Sequence, residues 1–127
     1  MSSINNSADV YQLVSEPLQN EIQEKVLIVT LNRANEVQGV HLMAIGSDTE
    51  VVFPVKLIAR QALMDVACGV IVVHNHPSGD VQPSSADIKQ TEKLRDALRL
   101  LDVSLMDHVI VGKCKWFSFA DEEEHSI

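Results

Sequence analysis

The chain has 127 residues, 46% hydrophobic and 22% charged, which is the composition of one globular domain and excludes disordered, collagen-like and coiled-coil proteins. Its apolar runs are far shorter than the ~20 residues of a membrane span, and its first residues lack the basic charge of a signal peptide. Two cysteines, Cys68 and Cys114, are too few for a disulfide framework and are expected to be small buried side chains. The sequence therefore predicts a cytoplasmic, single-domain protein.

The formal charge of −8 comes from the two ends of the chain. Residues 1–24 carry four acidic and no basic side chains, residues 121–127 carry four more acids, and residues 25–120 are balanced at ten acids and ten bases. We expect residues 121–127 to form a flexible acidic tail. Proteins that bind DNA usually present a basic surface, so direct binding of nucleic acid is not expected. The four bases between residues 89 and 99 alternate with acids and indicate a solvated helix face.

The first half of the chain predicts a helix and a β-hairpin. Residues 8–24 are expected to be helical, with an interruption at Pro17, which cannot donate a backbone hydrogen bond. The apolar, β-branched run KVLIVTL at residues 25–31 predicts a buried strand. A polar turn at residues 32–36 and a second strand at residues 37–45 complete the hairpin, and residues 46–48 form a loop.

The second half predicts alternating helices and strands. A helix begins at Pro54 and ends near Gly69, a buried strand covers residues 70–73, and a loop rich in proline and glycine covers residues 75–83. A second helix opens at Ser84, and a pair of strands covers residues 103–112 and 116–119. The residues expected to face the core from the two helices are Val55, Ile58, Ala59, Ala62 and Val66, then Ile88, Thr91, Leu94, Leu98 and Leu101. This alternation predicts an α/β fold, a three-layer arrangement with a mixed β-sheet flanked by helices.

His74 and His76 are two residues apart at the end of a buried strand. Side chains at i and i+2 of an extended chain point to the same side, so both imidazoles can reach one metal ion. Asp87, in the first turn of the next helix, can supply a carboxylate ligand if the loop folds back. Two nitrogens and one oxygen, with water in the fourth position, make an open zinc site of the catalytic type. Ser84 and Asp87 also fit a helix cap, which is compatible with that role, and the histidines can alternatively be ordinary hydrogen-bonding residues.

The pattern His-x-His, seven residues, Ser, two residues, Asp resembles the signature of the JAMM (MPN-type) metalloproteases. The runs HNHPSGD, PSSADIKQTEKL and MDHVIVG are similar to its bacterial RadC-like branch, over about residues 22–120. The resemblance implies a deaminase-like α/β domain with one Zn²⁺ held by His74, His76 and Asp87. It also implies that Glu24 is the general base for the attacking water and that Ser84 donates to the oxyanion. From the residues alone, Glu24 is indistinguishable from Glu21.

The chain departs from the family pattern in three places, and one is Val26, which stands where the family has an aromatic residue. Longer RadC-like proteins carry an N-terminal helix-hairpin-helix module that binds DNA, and residues 1–24 are expected to be too short and too acidic to supply it. The family's His-Pro-Arg-Glu run before the middle helix is here Phe53-Pro54-Val55-Lys56. Asp107 and His108 match an Asp-His pair of the family, and they are expected either to serve the strand or to support the metal ligands.

Two functions remain open at this point. The first is a zinc-dependent hydrolase of amide or isopeptide bonds, acting on a protein or peptide substrate. The second is a non-catalytic or DNA-repair-associated accessory module that keeps the metalloprotease fold. The intact set of expected ligands favours the first.

Overall fold

The structure, a computed structural model, describes residues 2–18, 20–46 and 52–127. Among these residues it contains three helices and six strands, which follow one another as α1 (Ser7–Leu18), β1 (Lys25–Leu31), β2 (Val37–Ile45), α2 (Val55–Met64), β3 (Gly69–Asn75), α3 (Ser85–Arg99), β4 (Ser104–Val111), β5 (Lys115–Ser118) and β6 (Glu123–Ser126). None of these helices has the length and hydrophobicity that crossing a membrane requires.

The six strands form one mixed sheet in the order β2-β1-β3-β4-β5-β6. Strands β3 and β4 are parallel, with α3 as the connection between them, and all other neighbours are antiparallel. Helix α1 covers one side of the sheet, and α2 and α3 cover the other. This confirms the predicted α/β fold with a mixed sheet between helical layers.

Each side of the sheet has its own hydrophobic core, because successive side chains of a strand point to opposite sides. On β1, Leu27 and Val29 pack in the core under α1, whereas Val26 and Ile28 pack in the core under α2 and α3. Val72 of β3 lies in the second core. His74, two residues further along the same strand, therefore emerges on the side of the sheet that α2 and α3 cover.

Helix α1 is shorter than predicted. It ends at Leu18, one residue after Pro17, and residues 20–24 are not helical. Proline has no amide hydrogen to continue the helical ladder, so Pro17 is tolerated only in the last turn. The chain after the helix thus approaches β1 with Glu24 immediately before the strand. Residues 47 and 48 of the predicted loop lie outside the described residues.

Several residues expected to be buried are exposed. Val66 is 81% exposed because α2 ends at Met64 and the chain turns, with a φ of 51° at Val66 itself. Leu101 is exposed because α3 ends at Arg99, and Ile88 lies on the outer side of its first turn. Cys68 and Cys114 are both exposed, each in the connection that directly precedes a strand. For Val66 and Leu101, the apolar period continues past the point where the helix ends.

The acidic segment 121–127 is not a flexible tail but contains the edge strand β6. Its backbone pairs with β5, and the ring of His125 stacks on Trp116 with the centroids 5.3 Å apart. His125 Nε2 also lies 2.9 Å from an oxygen of Asp121. The acidic side chains remain exposed, so this strand forms without burying charge.

Candidate metal centre

Three predicted ligands converge where β3 ends. Nε2 of His74 lies 3.0 Å from Nε2 of His76. The carboxylate of Asp87 spans the pair, with Oδ1 3.4 Å from His74 Nε2 and Oδ2 3.2 Å from His76 Nε2. His74 and Asp87 are buried and His76 is half-buried, so the cluster is open to solvent on the His76 side.

These separations fit a tetrahedral zinc site. With metal–ligand distances of ~2.0–2.1 Å, adjacent ligand atoms of a tetrahedron lie ~3.3 Å apart. The two Nε2 atoms lie 3.0 Å apart, and each lies 3.2–3.4 Å from a different carboxylate oxygen of Asp87, so the three side chains are close enough to share one ion. His76 Nδ1 lies 2.8 Å from the carbonyl oxygen of Asp80, which can only accept, so a neutral His76 carries its proton on Nδ1 and presents a lone pair on Nε2. Imidazole nitrogens and a carboxylate oxygen are ligands that zinc prefers.

Helix α3 presents Asp87 through a capping box at its start. Ser84 Oγ accepts from the backbone N–H of Asp87 at 3.0 Å, and Asp87 Oδ2 accepts from the backbone N–H of Ser84 at 2.9 Å. This confirms the predicted cap. The loop before it is tied to β4, because the backbone N–H of His76 donates to the carbonyl of Val111 at 3.0 Å. The same backbone bonds that start the helix therefore orient the carboxylate toward the histidines.

The electrostatics of the cluster favour an ionised carboxylate. Burial opposes ionisation of Asp87, but the imidazoles of His74 and His76, which face its two oxygens, and the Ser84 amide hold its pKa well below the usual range. Burial also opposes the charge of His76, but the Asp87 carboxylate and the Asp80 carbonyl outweigh it and raise the pKa of His76. A divalent cation would thus meet an anionic carboxylate, in competition with a proton on His76.

Glu24 lies beside this cluster. One of its carboxylate oxygens and a ring nitrogen from each of His74 and His76 all lie within 4.8 Å of one another. The neighbouring acids are elsewhere: Glu21 pairs with Lys25 at 2.9 Å, and Glu16 is exposed on α1. The structure therefore brings Glu24, and not the other N-terminal glutamates, to the candidate metal centre.

The position of Glu24 depends on Asn75, a residue to which the sequence analysis assigned no role. Asn75 Oδ1 accepts from the backbone N–H of Lys25 at 2.7 Å, and its Nδ2 donates to the carbonyl of Gln23 at 2.9 Å. The buried amide thus holds the chain on both sides of Glu24. The sequence signal that could have singled out Asn75 is its position between the two histidines. In the structure, the antiparallel register pairs Val26 with His74 and so places Asn75 beside residues 23–25.

The predicted Asp107–His108 pair divides into two roles. Asp107 accepts from the Ser118 hydroxyl at 2.7 Å and from the Ala120 amide at 3.0 Å, which ties β4 to β5 and the turn after it. Burial raises the pKa of Asp107 despite these hydrogen bonds. His108 instead faces the candidate centre, with its Nε2 2.7 Å from Nδ1 of His74.

Aromatic rings enclose His108. Phe119 stacks on it with the centroids 4.4 Å apart, and Phe53 lies nearly perpendicular to it with the centroids 5.1 Å apart. Phe53 also meets His74 edge to face at 5.7 Å. Phe53, which stands at the first position of the family's polar His-Pro-Arg-Glu run, therefore forms an apolar wall behind the candidate ligands. Burial and the neighbouring His74 hold the pKa of His108 well below its ordinary value, so its ring is neutral.

A family model described as the RadC-like JAB domain matches residues 4–125. The chain belongs to this family. A UPF0758 protein of Chlorobium chlorochromatii is 39% identical to this RadC-like JAB domain over 116 residues, which cover 91% of the chain and 52% of that protein. A UPF0758 protein of Methanosarcina mazei is 37% identical over 120 residues, which cover 94% of the chain and 52% of that protein.

The RadC-like JAB domain thus spans about half the length of the curated relatives it matches. The predicted membership of the RadC-like branch is confirmed. The matched segment also extends beyond the predicted residues 22–120 at both ends, and it takes in α1 and most of β6.

Proposed function

We propose that this RadC-like JAB domain hydrolyses amide or isopeptide bonds with a Zn²⁺ ion held by His74, His76 and Asp87. The observation that carries the proposal is the convergence of these three side chains, at 3.0–3.4 Å between donor atoms, with Glu24 beside them. Zinc, when bound, supplies a Lewis acid that polarises the carbonyl and brings the pKa of water to ~7.

Glu24 and Ser84 perform the proton transfer and the charge stabilisation. Glu24 accepts a proton as the water oxygen bonds to the carbonyl carbon, and it delivers that proton to the amide nitrogen as the carbon–nitrogen bond breaks. The oxygen of Ser84 already accepts from the Asp87 amide, which leaves its hydroxyl hydrogen to donate to the carbonyl oxygen as negative charge develops there. The exposed position of Ser84 makes it accessible to a substrate.

We propose a protein or peptide in the cytoplasm as the substrate, because the bond to be cleaved is an amide. The basic residues of α3 are exposed and interleaved with Glu92 and Asp96, so they form no continuous basic patch. The arrangement therefore supports hydrolysis in preference to an accessory role on nucleic acid.

The test compares Glu24→Gln with the matched control Glu21→Gln. Zinc content is measured by elemental analysis at neutral pH, and turnover is measured on fluorogenic isopeptide and peptide substrates. Glu24→Gln should keep zinc and lose ~10²–10⁴-fold in turnover, since glutamine cannot accept the proton. Glu21→Gln should keep both, because the carboxylate of Glu21 pairs with Lys25 and is not in the Glu24–His74–His76 group. Full turnover in Glu24→Gln would refute the assignment of Glu24 as the general base. A wild-type protein without affinity for zinc would refute the whole proposal.

A further inference from the structure

A chain of short hydrogen bonds runs from the back of His74 into helix α3. His74 Nδ1 lies 2.7 Å from Nε2 of His108, and Nδ1 of His108 lies 2.6 Å from Oγ1 of Thr91. Thr91 Oγ1 in turn lies 2.6 Å from the carbonyl oxygen of Asp87, one helical turn earlier. The chain begins at one proposed zinc ligand and ends at the backbone of another.

The carbonyl group at the end of this hydrogen-bond chain determines which atom donates in each of its hydrogen bonds. A carbonyl oxygen can only accept, so the hydroxyl hydrogen of Thr91 points to Asp87, and Thr91 meets His108 with a lone pair. His108 must then carry its proton on Nδ1, which leaves Nε2 as an acceptor. A neutral His74 must carry its proton on Nδ1 in order to donate to His108, so its Nε2 is then unprotonated.

We propose that Thr91 and His108 are positioning residues that hold His74 in the tautomer with a lone pair on Nε2, the atom that faces His76 and Asp87. The inference rests on the proposed function only in taking zinc as the metal. The opposite tautomer would turn the Thr91 hydroxyl away from Asp87 and set two acceptor oxygens 2.6 Å apart. The packed rings of Phe119 and Phe53 also hold the plane of His108.

The arrangement makes one helix responsible for two features of the centre. Asp87 and Thr91 are both on α3, so the helix that presents the carboxylate also anchors the tautomer of the buried histidine. Hydrogen-bond partners behind a metal-bound histidine are typically worth 10–100-fold in metal affinity, since they fix the ring and its tautomer. The Thr91 hydroxyl contacts His108 and the backbone carbonyl of Asp87 but none of the proposed zinc-binding atoms. We nevertheless expect Thr91 to control the affinity for zinc.

The experiment compares Thr91→Val, which removes the hydroxyl at nearly constant shape, with Thr91→Ser, which keeps it. Thr30→Val is the matched control, because Thr30 is also buried and its hydroxyl donates to Asp65 at 2.7 Å, at the end of β1 away from Glu24. Zinc affinity is measured by competition with a chelating dye. The tautomer of His74 is read without metal from long-range ¹H–¹⁵N correlation spectra at about pH 8, above the ordinary histidine pKa of ~6.5.

Thr91→Val should bind zinc ~10–100-fold more weakly and move the proton of metal-free His74 to Nε2, whereas Thr91→Ser and Thr30→Val should behave as the wild type. Wild-type affinity with an unchanged tautomer in Thr91→Val would overturn the proposal. If that variant does not fold, the metal-free wild type decides, because a proton on His74 Nε2 there also overturns it. Neither readout uses turnover, so a protein without hydrolase activity but with this tautomer would refute the proposed function alone.

Discussion

Replacing Asp87 by alanine removes a proposed zinc ligand and half of a helix cap together, whereas Ser84→Ala removes the other half of the cap alone. Without metal, each variant loses one capping hydrogen bond, at 2.9 or 3.0 Å, and we expect each to lose about 1–2 kcal/mol of stability. For a domain of this size that loss lowers Tm by roughly 3–8 °C. Asp87→Ala also loses the carboxylate that faces His74 and His76, so in the absence of zinc it should be the less stable of the two.

Zinc should separate them further. At a free zinc concentration of 100 times Kd, binding stabilises the wild type by about 2.7 kcal/mol, and Ser84→Ala should gain the same because its ligands are intact. If Asp87→Ala raises Kd 1,000-fold, the same zinc stabilises that variant by only ~0.1 kcal/mol. Thermal unfolding with EDTA and with buffered zinc measures the difference. An equal gain in Asp87→Ala would show that Asp87 is a cap and not a ligand. No gain in Ser84→Ala would contradict the expectation that its ligands are intact.

Three further substitutions test other parts of the structure. Asn75→Ala should keep zinc but lose at least tenfold in turnover, because the backbone around Glu24 loses both of its clamps; unchanged turnover would contradict this. Burial raises the pKa of Asp65, but hydrogen bonds from Thr30, His41 and Gln61 lower it overall, so its contribution to stability is present above the unfolded pKa of ~3.9 and lost as pH falls. Asp65→Asn should therefore be less stable than the wild type in urea unfolding at pH 7, with a gap that narrows as pH falls through ~3.9 toward the lower folded-state pKa; a constant gap would refute the argument. Gly112→Ala should lose about 1–3 kcal/mol of stability in the same assay, because its Cβ would lie 2.7 Å from Val81 Cγ1 and 2.9 Å from the Gly79 carbonyl oxygen. A stability equal to that of the wild type would show that the loop containing Gly79 and Val81 moves to make room.

Features encoded within a short stretch of sequence were predicted well. Strands β1 and β2 have the predicted bounds, since an apolar β-branched run and a polar turn each carry their signal locally. The capping box at Ser84 and the convergence of His74 with His76 follow from spacings of two and three residues. The ends of α2 and α3 were less predictable, because an apolar period continues past the point where the backbone turns.

Long-range pairing decided what local patterns left open. Glu24 and Glu21 are alike in sequence, and the choice between them depends on the register of β1 against β3 and on the clamp from Asn75. The strand in segment 121–127 depends on the ring of Trp116, which supplies a partner for His125. The sequence assigned Phe53 only as a departure from the family pattern, and its place against His74 and His108 required the packed structure.

The antiparallel pairing of β1 with β3 also sets an order of assembly. His74, His76 and Asp87 lie on one strand–loop–helix unit, so their donor atoms can meet as soon as that short stretch folds. Glu24 joins them only after contacts close over 50 residues of chain, as between Lys25 and Asn75, and such closure carries a larger entropic cost. We therefore expect a folding chain to acquire the capacity to capture metal before it acquires its proton acceptor, so that metal capture is the earlier and more robust property.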